Sequence, residues 1–117
     1  MPWDIEFTPE AQEWVESLSD TDFERVAAAL DQLEEHGPAL GRPTVDSIKG
    51  SRHSNMKELR SRGGHLRALF AFDPDRMAIV LVGGDKAGFW SRWYEEAIPV
   101  ADERYDRHLT AVARRAR

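Results

Sequence analysis

The chain has 117 residues, 41% of them apolar and 32% charged, which is enough for one core but not for two and excludes wholesale disorder. It has no cysteine, so disulfides and thiolate chemistry are excluded, and its longest apolar run, Met77–Val82, is far too short to cross a bilayer. The net charge of −5 hides an asymmetry: residues 1–41 set eleven acidic side chains against Arg25, whereas residues 42–67 hold seven basic and two acidic, a local excess of +5.

In chain order, Trp3–Phe7 alternates apolar and acidic residues and predicts a short strand. Thr8-Pro9-Glu10 then opens a helix, with Thr8 as N-cap and Pro9 in the first position, where a missing N–H costs nothing. Ala11, Trp14, Val15 and Leu18 make its apolar stripe. Ser19-Asp20-Thr21-Asp22 breaks this helix, and Thr21 with Glu24 forms a capping box for a second. That second helix carries Phe23, Val26, Ala27, Leu30 and Leu33 on one side and stops at Gly37-Pro38. Together the two stripes, through Trp14, Leu18, Phe23, Leu30 and Leu33, are expected to cover one face of a sheet.

Ala39–Asn55 lacks periodicity and reads as a long loop, a length that in a small domain usually marks function. Three strand-like segments follow, Met56–Ser61, His65–Phe72 and Arg76–Val82, joined by Arg62-Gly63-Gly64 and by the turn Asp73-Pro74-Asp75. Gly83–Gly88 reads as a flexible exit. Ile98-Pro99 precedes a last helix with Ala101, Tyr105, Leu109 and Val112 on one side. The order β-α-α-β-β-β-α predicts an α+β fold in one domain spanning 1–117: a small antiparallel meander, the first strand added at one side, and helices packed on one face.

Three segments on that order resemble the RelE/ParE toxin superfamily, nearest to its HigB-like, phage-related branch. They are Met56-Lys57-Glu58-Leu59-Arg60, Leu66-Arg67-Ala68-Leu69-Phe70, and Ile79–Val82 followed by Gly-Gly-Asp-Lys. The resemblance extends over nearly the whole chain. It departs from the family where two adjacent lysines are common, since here Lys86 is followed by Ala87. The resemblance implies a RelE-like fold and the toxin of a type II toxin–antitoxin system. The implied activity is ribosome-dependent endonucleolytic cleavage of mRNA, without metal or other cofactor. The implied partners are a cognate antitoxin of helix-turn-helix type and mRNA on the ribosome, with DNA reached only through the antitoxin complex. Two alternatives stand beside it: a ParE-like inhibitor that binds DNA gyrase, and a degenerate homologue that only binds a partner.

Cleavage of this kind drives a ribose 2′-OH onto the adjacent phosphorus. It needs a proton acceptor, a cation for the developing charge and a donor for the leaving oxygen. Arg60 and Arg67, on successive strands, are placed to converge on one phosphate; the alternative for Arg60 is an ordinary strand-surface ion pair with Glu58 or Asp46. Lys57 and Lys86 are candidate phosphate-orienting or basic groups, and His53 or His65 is the candidate proton carrier, with His53 placed among the catalytic residues. Lys49, Arg52, Arg62, His65 and Tyr94 are the candidate RNA-binding residues. Tyr94 belongs to a cluster with Trp90 and Trp93 that serves either base stacking or packing. His36 reads as structural, and His108 reaches the sheet only if the last helix packs across it. No histidine spacing points to a metal. With no leader-like N-terminus and no membrane segment, a cytoplasmic location is expected. The antitoxin is expected to cover the basic stretch 42–67.

Overall fold

The computed structural model describes residues 2–85 and 90–116. Strand β1 (Asp4–Phe7) leads into helix α1 (Pro9–Glu16) and helix α2 (Asp20–His36). After a short 3₁₀ turn come β2 (Val45–Ser47), β3 (Met56–Arg60), β4 (Leu66–Phe72), β5 (Met77–Asp85) and the long helix α3 (Trp90–Arg115). The strands form one sheet in the order β1-β5-β4-β3-β2, antiparallel except for the parallel pair β1–β5. The α+β fold and the meander of β3, β4 and β5 are as expected.

The caps follow local chemistry. The Thr8 hydroxyl accepts from the Ala11 N–H, with Pro9 at the first helical position. For α2 the cap is Ser19, which accepts from the Asp22 N–H, and not Thr21; the helix begins two residues earlier than the capping-box pattern suggested. Gly37 ends α2 at φ 56°, a conformation that suits glycine, and the Trp3 indole occupies the space a Cβ would need.

Four expectations about the architecture are corrected. The long loop contains β2, whose three residues pair with β3 and so extend the sheet to five strands; so short a strand leaves no legible alternation. Gly83 and Gly84 are not a flexible exit but continue β5. Phe23 is 47% exposed, because the helix turns it away from the sheet, while Ala29 and Leu33 carry the contact. The helices lie on both faces and not on one. Ala11, Ala29 and Leu33 pack on Leu59, Ala68, Phe70 and Val80, while Ala97, Ile98, Ala101 and Tyr105 of α3 pack on Leu69, Ala71, Ile79 and Leu81.

Helix α3 also starts well before Pro99, which lies inside it. An interior proline costs about 3 kcal/mol. Burying the sheet-facing side of Trp93, Ala97 and Ile98 offsets that, at roughly 1.5–3 kcal/mol per large apolar side chain. Packing therefore decides a boundary that local propensity had placed at Ile98.

Candidate functional site

Side chains directly opposite each other in an antiparallel pair share a face. The register pairs Arg60 with Arg67 and Arg67 with Gly84, so these three form one row across β3, β4 and β5, on the face that α3 covers. The register shifts between Leu69 and Phe70, where Leu81 is the extra residue on β5. This bulge places Gly84 on the α3 face and Gly83 on the other.

Both glycines are needed for closeness. A Cβ on Gly84 would lie 2.1 Å from Trp93 Nε1, and one on Gly83 would lie 2.1 Å from the Trp14 ring. The Trp93 indole therefore rests on the strand at the end of the arginine row, and the Tyr94 ring meets it edge-on with centroids 5.0 Å apart. The Tyr94 hydroxyl donates to the buried carboxylate of Glu58. An open cleft of about 290 Å³ results, lined by Ser47, Lys49, Glu58, Arg60, Tyr94 and Ile98.

The electrostatics of this cleft are internally satisfied. Arg60 donates from Nε to Glu58 Oε1 at 2.7 Å and from Nη2 to Asp46 Oδ2 at 3.1 Å. The strand ion pair is thus present, and a phosphate must compete with it. The hydrogen bond from Arg42 holds the Asp46 carboxyl below its usual range, and the bond to Glu58 raises Arg60 further. Arg67 is buried; its Nη1 donates to the carbonyls of Leu66 (2.9 Å) and Gly64 (3.4 Å), and its Nε has no hydrogen-bond partner. A buried unpaired guanidinium N–H is unusual, and the Arg67 charge lies close enough to the Tyr94 phenol at the edge of the cleft to act on it. Burial first, then the hydrogen bond to Glu58, pushes the Tyr94 phenol up to about 12, with Arg67 opposing.

That shift gives a direct test. A phenol whose folded value is raised contributes stability below its unfolded value, and this is lost as pH rises through the folded one. Near-ultraviolet titration is expected to show both tyrosines ionising above the usual phenol range, with the Tyr94→Phe variant losing the component near 12. Normal titration of Tyr94 would mean that its hydroxyl is not held on Glu58.

The structure thus joins Arg60, Arg67, Lys49 and Tyr94 and disperses the other candidates. Lys57 alternates to the opposite face, in register with Phe70 of the other core. His53 does not reach the cleft: its Nε2 lies 2.8 Å from Asp106 Oδ1 and its ring is edge-on to Tyr105. Asp106 is twelve residues beyond Tyr94, about 18 Å along α3. Arg52 also pairs with Asp106, while the buried Asp102 accepts from Ser51 and from the Arg52 N–H, so this loop is tied down to α3. His65 is exposed and pairs with Asp85 at 3.3 Å. Arg62 lines a separate cleft beside α2. Lys86 and the side chain of Trp90 lie outside the described residues.

His36 sits exposed near Glu35, whereas His108 binds the buried Asp73 at 2.8 Å, so α3 does cross the sheet. With Arg42, Arg52 and Arg60 all paired to carboxylates, the basic excess of 42–67 is in large part internally neutralised. Among the described residues no group of His, Cys, Asp or Glu side chains is arranged to hold a metal ion. Glu58 and Gly84 were missed as site residues. Glu58 stands two before Arg60 on a strand, and that spacing alone puts both on one face.

The sequence profile described as phage-derived protein Gp49-like matches residues 13–106. HigB3 of Mycobacterium tuberculosis, a candidate toxin by its name, is 50% identical over 103 residues, covering 88% of this chain and 90% of its own. HigB2 of the same organism, named in the same way, is 54% identical over 99 residues; the match covers 82% of this chain but only 49% of HigB2, so the chain spans about half of that relative. Among solved structures, a mutant of the Escherichia coli toxin RelE in the free state superposes with a TM-score of 0.61 at 18% identity, covering 92% of this chain and 98% of RelE. The toxin of an archaeal RelE–RelB complex from Pyrococcus horikoshii gives 0.56 at 19% identity, covering 75% and 99%.

Proposed function

The chain belongs to the Gp49-like family of phage-derived proteins and is a HigB-like toxin with the RelE fold, and on that premise we propose that it cuts messenger RNA on the ribosome and is held inactive by a cognate antitoxin. The observation that supports cleavage is the open cleft lined by Arg60, Glu58 and Tyr94, with Arg67 buried behind Arg60 in the same row. The ribose 2′-oxygen attacks the adjacent phosphorus, the bond from phosphorus to the 5′-oxygen breaks, and a 2′,3′-cyclic phosphate and a 5′-hydroxyl result. Arg60 exchanges its carboxylate partners for phosphate oxygens, with Arg67 behind it, and the two cations meet charge as it develops. Glu58, released from Arg60, takes the 2′-OH proton. Tyr94 keeps its proton throughout the physiological range and donates to the leaving 5′-oxygen.

His53 has no part in this scheme, because Asp106 and Tyr105 hold it about three turns further along α3. The ribosome supplies the positioning that so small a cleft lacks, and the site of action is the cytoplasm, where that substrate is. No helix among the described residues is long and apolar enough to cross a membrane. The partner is an antitoxin of helix-turn-helix type, and DNA is engaged only through the complex.

The test is a transcript programmed into ribosomes and incubated with the purified chain. Cuts within the reading frame, absent without ribosomes and leaving 5′-hydroxyl ends that polynucleotide kinase labels, are expected. An intact transcript together with inhibited supercoiling by gyrase would replace this reading with the ParE-like one.

A further inference from the structure

The chain between β3 and β4 turns through Ser61, Arg62, Gly63 and Gly64, and beside it a second cleft of about 290 Å³ opens on the α2 side. Gln32, Thr44, Ser61 and Arg62 line it. Arg60 borders this cleft and the candidate site alike, so the two meet around the end of β3. A shallower hollow lined by Thr21, Glu24, Arg25 and Arg62 continues it along α2.

Several polar groups in and beside the inner cleft are donors without an acceptor. Ser61 is 8% exposed, and its buried hydroxyl has no hydrogen-bond partner. Leaving such a group unsatisfied is costly, so its retention here points to a ligand. Thr44 donates to Gln32 Oε1 at 2.7 Å, which leaves the Gln32 amide N–H groups for another acceptor. The position that a Cβ on Gly64 would take is 2.8 Å from Ser61 Oγ and 3.8 Å from Arg25 Nη1, so hydroxyl and guanidinium converge on one point. Arg25 is held only loosely, 3.9 Å from Asp22, and among the described residues Arg62 has no carboxylate within 4.0 Å. Glu24 is the carboxylate that lines the outer hollow.

We propose that this cleft is a phosphate subsite for the nucleotide flanking the one that is cut. The inference rests on the nuclease reading above and extends it. Two guanidinium groups, a hydroxyl and an amide N–H₂ suit the oxygens of a phosphodiester, which accepts only. The Cα atoms of Arg60 and Arg62 are at most ~7 Å apart, about one nucleotide step, so one strand can touch both clefts. An acidic peptide offers the same oxygens, but the shared border at Arg60 favours a chain that continues into the candidate site.

The test uses a short fluorescein-labelled single-stranded RNA and anisotropy titrations over a range of KCl. Arg25→Gln with Arg62→Gln is expected to weaken binding about tenfold at low salt and to flatten the log–log salt slope by about 1.4, two contacts at ~0.7 each. Ser61→Ala is expected to weaken binding severalfold with a melting temperature no lower than wild type, because it removes an unsatisfied hydroxyl; a purely structural serine would show the reverse. An unchanged slope in the double variant overturns the subsite, including the case in which that variant instead loses affinity for an acidic peptide. Arg60→Ala with Arg67→Ala, run in parallel, separates the two ideas. Full RNA binding there sinks the nuclease site, whereas lost binding there beside an unchanged Arg25/Arg62 variant sinks only the subsite.

Discussion

Arg60→Ala and Arg67→Ala are each expected to slow RNA cleavage by about 100–1,000-fold, the loss of roughly 2.7–4 kcal/mol that follows removal of one preorganised donor to a developing charge. The two are not equivalent in their effect on folding. Arg60 neutralises the buried Glu58 and shares Asp46 with Arg42, so its removal strands a carboxylate and destabilises the fold as well. Because Arg60 is itself a third exposed, solvent screening limits that cost. Arg67 donates to the Leu66 and Gly64 carbonyls, bears on the Tyr94 phenol and, among the described residues, has no carboxylate within 4.0 Å, so its loss strands no carboxylate and falls mainly on activity. Arg60→Lys provides the control: charge is kept and the planar fork lost, so folding is restored and the rate is not. Single-turnover cleavage on programmed ribosomes measures the effect, with circular dichroism as the check on folding and growth arrest on induction as the cellular readout. If both alanine variants fold and still arrest growth as the wild type does, the arginine row is not the site.

Gly84→Ala is the second substitution expected to have a large effect, although position 84 carries no functional group. A methyl there would lie 2.1 Å from the Trp93 indole, so the ring or the backbone that carries it must shift. Overpacking of this kind costs roughly 1–3 kcal/mol of stability. The functional loss is expected to be larger, about 100-fold in cleavage, because Tyr94 follows Trp93 and its contact with Glu58 must shift; displacement of a reacting group by about 1 Å has that consequence. Gly83→Ala is the matched comparison. It meets Trp14 on the opposite face at the same distance, so it should lose similar stability but little activity per folded molecule. Urea melts and cleavage rates on both variants distinguish the roles. Equal losses of activity per folded molecule would mean that Gly84 serves packing alone.

The antitoxin expectation changes with the structure. A basic surface over 42–67 was read from the residue count, but Asp46, Glu58 and Asp106 meet three of its arginines. Among the described residues, the cations of that stretch without a carboxylate within 4.0 Å are Lys49, Lys57, Arg62 and Arg67, and the register sends Lys57 and Arg67 to different faces. Electrostatic steering by one continuous patch is correspondingly weaker than the count suggests.

The sequence by itself determined the elements whose signals are local: Thr8 and Pro9 as a helix start, Gly37 as a helix end, and three short apolar-rich strands marked off by turns. It also determined that Arg60 and Arg67 share a row, since a short turn between antiparallel strands fixes which residues face each other. Only the tertiary structure decided what lies over that row. The start of α3 depended on burying Trp93 and Ile98 against an already formed sheet, a gain that no local window records and that outweighs an interior proline. The reach of His53 depended on Asp106, more than fifty residues away, and the pairing of Arg52 depended on the same carboxylate. Glycines read as a flexible exit became the floor for two tryptophans: strand alternation sends Gly83 and Gly84 to opposite cores, and the bulge at Leu81 decides which of them faces α3. Charge neutralisation, helix docking and close backbone approach are all contacts between distant parts of the chain, so they follow from the fold and not from spacing along it.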